Sequence, residues 1–417
     1  MAYEVRTKRI LQINQCECHV HRSEVIGMKI LQVIPYFHPA YAFGGPVKVA
    51  YQIARELVKR KHEVVIYTSD AKDLSSRLSS DPVEVVDGIR VHYFRNLALM
   101  PIEKSKLFIT PQIIPSVRKE VKKFDIIHLH EYRTFQNIIA HHYARKYDVP
   151  YVLQAHGSLS RMMVKRRLKW LYDVFFGYRL LSDASKVISL SRVEAEQYMG
   201  IGVPLEKITV IPNGIDLSEC DYLPPKGSFR RKLFIDDDER IVLYLGRIHQ
   251  SKGLDLLAEA FSVVLKHLSN ARLVIVGPDD GYAATFSKLL SDLGIEESVL
   301  LTGFVKEKEK LSALLDSDVF VTPNFSGFPA TFLEACITGT PIITTTKADE
   351  LGWIHDNVGL VVEYSPMKLA EAITFILINR EIAEKIGDKA KRFVLNEFSL
   401  EKTIGKLEKL YENVIKR

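Results

Sequence analysis

MKILQVIPYF, residues 28–37, passes from a charged residue into an apolar run, the signature of a strand buried on both faces of a parallel sheet. The same signature returns in IVLYLG at 241–246, after a polar, Pro-containing stretch running from Pro212-Asn213-Gly214 to about Asp238. Two such beginnings in 417 residues predict two sheets with separate cores, in keeping with about 100–200 residues per domain.

Outward from the first start, apolar runs at 29–34, 63–68, 125–130, 150–154, 185–190 and 207–211 alternate with amphipathic stretches such as Val47–Arg60. Strands joined by helical crossovers make a parallel α/β sheet. The second half repeats the scheme at 241–246, 272–277, 298–302, 318–322, 341–345 and 358–362. The expected organisation is an appendage at 1–27, domains at 28–215 and 216–397, and a closing helix at 398–417 that packs back toward the first domain. Residues 1–27 show no period, and were the start assigned too far upstream, Met28 would be the expected initiator.

The composition, 47% hydrophobic and 26% charged with no repeat or low-complexity tract, is that of a packed globular protein. No window offers the roughly 18 apolar residues of a membrane span, and the N-terminus lacks the apolar core of a secretory signal. Four cysteines, Cys16, Cys18, Cys220 and Cys336, give no disulfide framework, and Cys16 and Cys18 with His19 and His21 lack the second pair of a metal site. A cytoplasmic protein without a bound metal or cofactor is expected. Charge is segregated: +11 over 28–215 and −6 over 216–417, which points the first half toward an anionic partner.

Ligands of open parallel sheets sit beyond the carboxyl ends of the strands, so the loops there hold the candidates. Gly44, Gly45 and Pro46 open the helix after the first strand and suit either an anion at a helix N-terminus or a tight turn. Gly246, Arg247, Lys252 and Gly253 place two cations in one strand-to-helix loop; they suit a diphosphate or form a solvated basic loop. Ser326, Gly327, Phe328 and Pro329 precede a helix bearing Glu334, a carboxylate suited to two ribose hydroxyls, although a surface glutamate would read the same. His156, before Gly157, is a candidate to bond a sugar hydroxyl or carry a proton, or a structural imidazole. His128 and His130 share one strand face, read as cleft lining without a third metal ligand, and Arg133 follows close by.

Taken in order, Gly44-Gly45-Pro46, His156-Gly157, Pro212-Asn213-Gly214-Ile215-Asp216, Gly246-Arg247 with Lys252-Gly253, and Gly327-Phe328-Pro329 leading to Leu333-Glu334-Ala335 resemble the retaining glycosyltransferases of family 4 over about 28–410. The resemblance implies the GT-B architecture, two tandem Rossmann-like, doubly wound parallel-sheet domains facing across a cleft. It implies a hexosyltransferase that takes sugar from a nucleotide sugar and retains anomeric configuration. Arg247, Lys252 and His156 would be catalytic; Gly44, Gly45, Gly246, Ser326, Gly327, Phe328, Pro329 and Glu334 would hold the donor, with His156 as Glu334's counterpart across the cleft; His130 and Arg133 would line the acceptor side. No metal is implied, because cations and helix N-termini supply the positive charge. The family pattern carries a glutamate at the position of Ser326, so its contact to the sugar does not transfer.

Two other readings share this architecture: a non-catalytic nucleotide-sugar-binding subunit and a nucleotide-sugar epimerase. A nicotinamide oxidoreductase is disfavoured, since no G-x-G-x-x-G follows a strand with an acidic residue about 20 positions on. RMMVKRRLKWLYDVFFGYRLL, 161–181, mixes cations with large apolar groups, as an interfacial helix does, or as a core-facing helix with a basic side does. The expected partners are a nucleotide sugar, a glycan or lipid-linked acceptor and an anionic membrane surface at the inner face of the cell membrane, with no nucleic acid.

Overall fold

The computed structural model describes residues 27–416 apart from 74, 79–80, 98–107, 160–165, 217–222, 326–327, 349–350 and 356. Ser326 and Gly327, three of the cysteines and the start of the 161–181 stretch therefore lie outside the described residues.

Two doubly wound sheets form. The first has eight strands: β1 (Lys29–Val33), β2 (Glu63–Ser69), β3 (Val83–Val86), β4 (Ile89–Phe94), β5 (Ile126–His130), β6 (Tyr151–Gln154), β7 (Lys186–Ser189) and β8 (Ile208–Val210), in the order β3-β4-β2-β1-β5-β6-β7-β8. The second holds β9 (Arg240–Leu245), β10 (Ala271–Val276), β11 (Val299–Gly303), β12 (Val319–Thr322), β13 (Ile342–Thr345) and β14 (Gly359–Val362), in the order β11-β10-β9-β12-β13-β14. All described pairings of the second sheet are parallel. In the first, β3 runs antiparallel to β4, so the expected six-stranded parallel sheet is corrected to a mixed sheet of eight. The added hairpin turns on Asp87 (φ 50) and Gly88 (φ 79), the left-handed pair of a type I′ turn.

Strand order reverses beside β1 and beside β9, and at such switch points the loops diverge to leave a crevice. After β1 the chain enters the Gly45–Lys59 helix, with Pro46 in its first turn and Val47, Ala50, Ile53, Ala54 and Leu57 on its buried face. After β9 it passes Gly246 and Arg247 into the Leu254–His267 helix.

The Leu400–Ile415 helix lies on the first sheet although it follows the second domain in sequence. Leu400, Ile404, Leu407, Tyr411 and Val414 join the core built on Ile30, Ile53, Ile66 and Ile126. Where the chain returns, Ile215 donates to the carbonyl of Phe398 and accepts from Leu400, both at 2.8 Å. A Cβ on Gly214 would stand 2.5 Å from Leu400 Cα, so a glycine is required where the two crossing segments touch. Arg60 and His62 reach Glu408 at 2.5 and 3.0 Å and fasten the returning helix. Among the described residues no helix is long and apolar enough to cross a membrane.

Candidate functional site

On the second domain the site grows from the loops after β9 and β12, strands that are neighbours in the sheet. Close approach dictates the glycines. A Cβ on Gly277, after β10, would sit 1.9 Å from Gly246 O, and one on Gly253 (φ 70) would lie 3.0 Å from Pro323 Cβ. Asn324 ties the same loops together by donating to Ser251 O at 2.8 Å.

Arg247 and Lys252 rise from this packed base. The exposed Arg247 guanidinium pairs with Asp280. Burial, and then the neighbouring charge of Arg247, lower the affinity of the Lys252 ammonium for its proton below the ordinary lysine value. The loop thus holds two cations that repel one another until an anion arrives, an arrangement suited to a diphosphate.

After β12, Phe328 and Pro329 lead into the Ala330–Thr338 helix. Phe328 packs against Trp353 and Phe398, with ring centroids 6.1 and 5.8 Å apart, so its ring belongs to the aromatic cluster under the loop. Glu334, 5% exposed, accepts a hydrogen bond from Lys310 Nζ at 2.7 Å through Oε1. Its second oxygen, Oε2, is buried with no hydrogen-bond partner among the described residues. Among the described residues, Lys48 reaches Glu334 from the first domain, 3.7 Å from Oε1, where the resemblance implies His156. Neither lysine was singled out from the sequence. Lys48 stands in the first turn behind Gly44 and Gly45, and that position was the available signal; Lys310 lies in a lysine- and glutamate-rich helix that carries none.

The first domain contributes open space and a set of imidazoles. A Cβ at Gly44 (φ 97) or Gly45 would meet nothing within 4 Å. His156, just past β6, is partly buried and left-handed (φ 52), and its Nε2 is 2.9 Å from His130 Nδ1. Gly157 N donates to Glu194 at 2.7 Å and pins the loop. His130 is itself fully buried behind His156, and His128 lies deeper against Tyr411 of the returning helix, so these two are core residues and not cleft lining. Arg133 is committed as well: Nε and one terminal nitrogen hold Asp173 at 2.9 Å each, and the terminal nitrogens donate to the carbonyls of Ser158 and Leu159. Its position braces the His156 loop.

Family models match both halves of the chain. The model of Glycosyltransferase Family 4 matches residues 43–219, and that of Glycosyl transferases group 1 matches 225–393. An uncharacterized glycosyltransferase of Methanocaldococcus jannaschii is 27% identical over 89% of this chain and 95% of its own. The UDP-Gal:alpha-D-GlcNAc-diphosphoundecaprenol alpha-1,3-galactosyltransferase of Escherichia coli is 25% identical over 77% of this chain and 82% of its own. Among solved structures, the Anabaena protein HepE in complex with UDP and glucose superposes with a TM-score of 0.71 at 17% identity, over 93% of this chain and all of that one.

Proposed function

We propose that this chain, which has the GT-B fold and whose two halves match the models of Glycosyltransferase Family 4 and Glycosyl transferases group 1, is a nucleotide-sugar-dependent glycosyltransferase that moves a hexose to a glycan or lipid-linked acceptor with retention of anomeric configuration, in the synthesis of cell-envelope polysaccharide or glycoconjugate. One observation carries the donor half of this reading. The buried Glu334 carboxylate has one oxygen without a hydrogen-bond partner among the described residues, at a cost of about 1–3 kcal/mol, on the helix after β12, the sheet neighbour of the β9 strand whose loop carries Arg247 and Lys252. Vicinal ribose hydroxyls would satisfy that oxygen. Lys252 and Arg247 would then take up the charge that grows on the departing diphosphate, and His156 would meet the sugar from the opposite domain. A panel of nucleotide sugars scored by thermal shift identifies the donor, and NMR of the product reads the anomeric configuration. An inverted product would overturn retention; no stabilisation by any nucleoside diphosphate would overturn the donor site.

The acceptor in this reading is anionic or membrane-held, and the enzyme is peripheral at the inner face of the cell membrane. Two observations support it. The E. coli relative acts, by its name, on a diphosphoundecaprenol-linked sugar. Within this chain, Trp170, Val174, Phe175 and Phe176 are exposed by 43% or more on the surface of the first domain, beside the exposed cations Arg167 and Arg179. Exposed aromatics among cations match the boundary between headgroups and acyl chains.

A further inference from the structure

The centre of a parallel sheet covered on both faces is ordinarily apolar. Here a polar row crosses it. His128 and His130 alternate along β5 onto one face; Gln32 of β1 is in register with His128, and Gln154 of β6 with His130. Gln32, His128 and His130 are fully buried and Gln154 nearly so, in a setting where each unbonded polar atom is costly. Contacts run from Tyr411 to His156, while Gln32 Nε2, His128 Nε2 and Gln154 Oε1 have no hydrogen-bond partner among the described residues. Tyr411 OH lies 2.7 Å from His128 Nδ1, His128 stacks on His130 with centroids 4.0 Å apart, His130 Nε2 is 3.2 Å from Gln32 Oε1, and His130 Nδ1 meets His156 Nε2. At the outer end His156 holds a left-handed backbone, a strain of about 1–3 kcal/mol that the surrounding contacts must sustain.

Burial keeps the three rings neutral near pH 7, with His128 and His156 lowered to about 3 and His130 also well below its usual value. A neutral imidazole has one N–H and one bare nitrogen. With Gln32 Oε1 facing it, His130 carries its proton on Nε2 and offers a bare Nδ1. That nitrogen in turn requires the proton of His156 to be on Nε2. With the amide turned over, Gln32 Nε2, otherwise buried without a partner among the described residues, would donate instead and every proton in the row would reverse. We propose that Gln32 and His130 are positioning residues that hold His156 in its Nε2–H tautomer, so that its Nδ1 meets the substrate as a hydrogen-bond acceptor and selects a hydroxyl-bearing ligand. The proposal rests on reading His156 as part of the transferase site. It gives His156 a defined polarity: it orients a sugar or acceptor hydroxyl by receiving its proton in a hydrogen bond, and does not donate to the leaving phosphate.

The direct test is selective 15N-histidine NMR on the full chain, with the His156 signals identified by their loss in His156→Asn. Protonated Nε2 and bare Nδ1 at pH 7 are expected, and Gln32→Met, which removes the acceptor at similar volume, should yield mixed tautomers and about a tenfold lower kcat/KM, with melting lowered by the buried donor left unbonded on His130. A proton found on His156 Nδ1 overturns the proposal, as does a tautomer indifferent to Gln32→Met. If the variant fails to fold, the wild-type spectrum decides alone. Titration with UDP-glucose, or with whichever nucleotide sugar the thermal-shift panel selects, separates the two layers. A correct tautomer whose Nδ1 signal ignores the nucleotide sugar and acceptor would remove His156 from the site and leave the relay intact as packing.

Discussion

Lys252 is where burial and charge conflict most directly. Its ammonium is pressed toward neutrality by desolvation and by Arg247, and the negative charge of a bound diphosphate would offset both effects. Lys252→Ala should therefore lower kcat about 100-fold or more while leaving the melting temperature unchanged or raised, since an uncompensated cation is removed from a partly buried place. Arg247→Ala should behave alike in turnover, because its exposed pair with Asp280 adds little to stability. Wild-type kcat in either variant would exclude that residue from the mechanism. Glu334→Gln addresses binding: an amide replaces charge-assisted bonds only in part, so the dissociation constant for the nucleoside diphosphate, measured by calorimetry, should rise about tenfold. An unchanged constant would end the ribose assignment. Arg247 and Lys252 can be nominated from the sequence because loop position after a strand is itself a local signal, and Glu334 because its helix opens on such a loop. Lys48 and Gln32 cannot, since each gains its meaning from a partner 286 and 98 residues away, Glu334 and His130.

At the scale of elements, the apolar runs located twelve strands and missed β3 and β4, whose alternation around Asp87-Gly88 is a short-range hairpin signal weaker than the buried runs beside it. Periodicity was also silent on the face of the basic aromatic stretch. The reason lies in its π-helical turn, Asp173–Gly177, which inserts a residue and re-aims the side chains after it. Tertiary contacts fix that turn: Asp173 is held by Arg133, and a Cβ on Gly177 would stand 2.3 Å from Tyr132 OH. With Asp173 anchored inward, Phe175 is left 66% exposed. Sedimentation with vesicles rich in anionic lipid should therefore exceed that with neutral ones and weaken as salt shortens screening from about 10 Å at 0.1 M to about 3 Å at 1 M. Phe175→Ser with Phe176→Ser should abolish it without loss of stability. Should the variant sediment like the wild type, or neither bind at low salt, the interfacial role of this helix is wrong. A dimer dissolved by the same substitutions would show that a second copy covers the face.

Over the whole molecule the two sheets are joined by a chain that crosses to the second domain at 212–216 and returns at 398–400, so the Leu400–Ile415 helix makes the first domain's core depend on the far end of the sequence. That dependence has a pH signature. His128, His130 and His156 have folded proton affinities far below the unfolded value near 6.5, all chiefly through burial, and burial shifts His38, His92 and His141 in the same direction. Below about pH 6.5 the unfolded chain takes up protons that the folded chain refuses. The stability from these groups is thus complete above that pH and is lost as pH falls toward 3, at up to about 1.4 kcal/mol per pH unit for each fully shifted ring. Against a total of about 5–15 kcal/mol, such a loss weakens the first domain as pH falls below about 6.5. Because Tyr411 bonds His128, protonation strikes where the returning helix meets the sheet, and that helix should open first. Hydrogen-exchange protection across 400–415, taken relative to the intrinsic rate at each pH, should fall between pH 6.5 and 5 ahead of that of the β9–β14 sheet, with a parallel fall in melting temperature. A melting temperature constant over that interval would mean that the histidine row is solvated, and burial could then no longer be the cause of its neutrality.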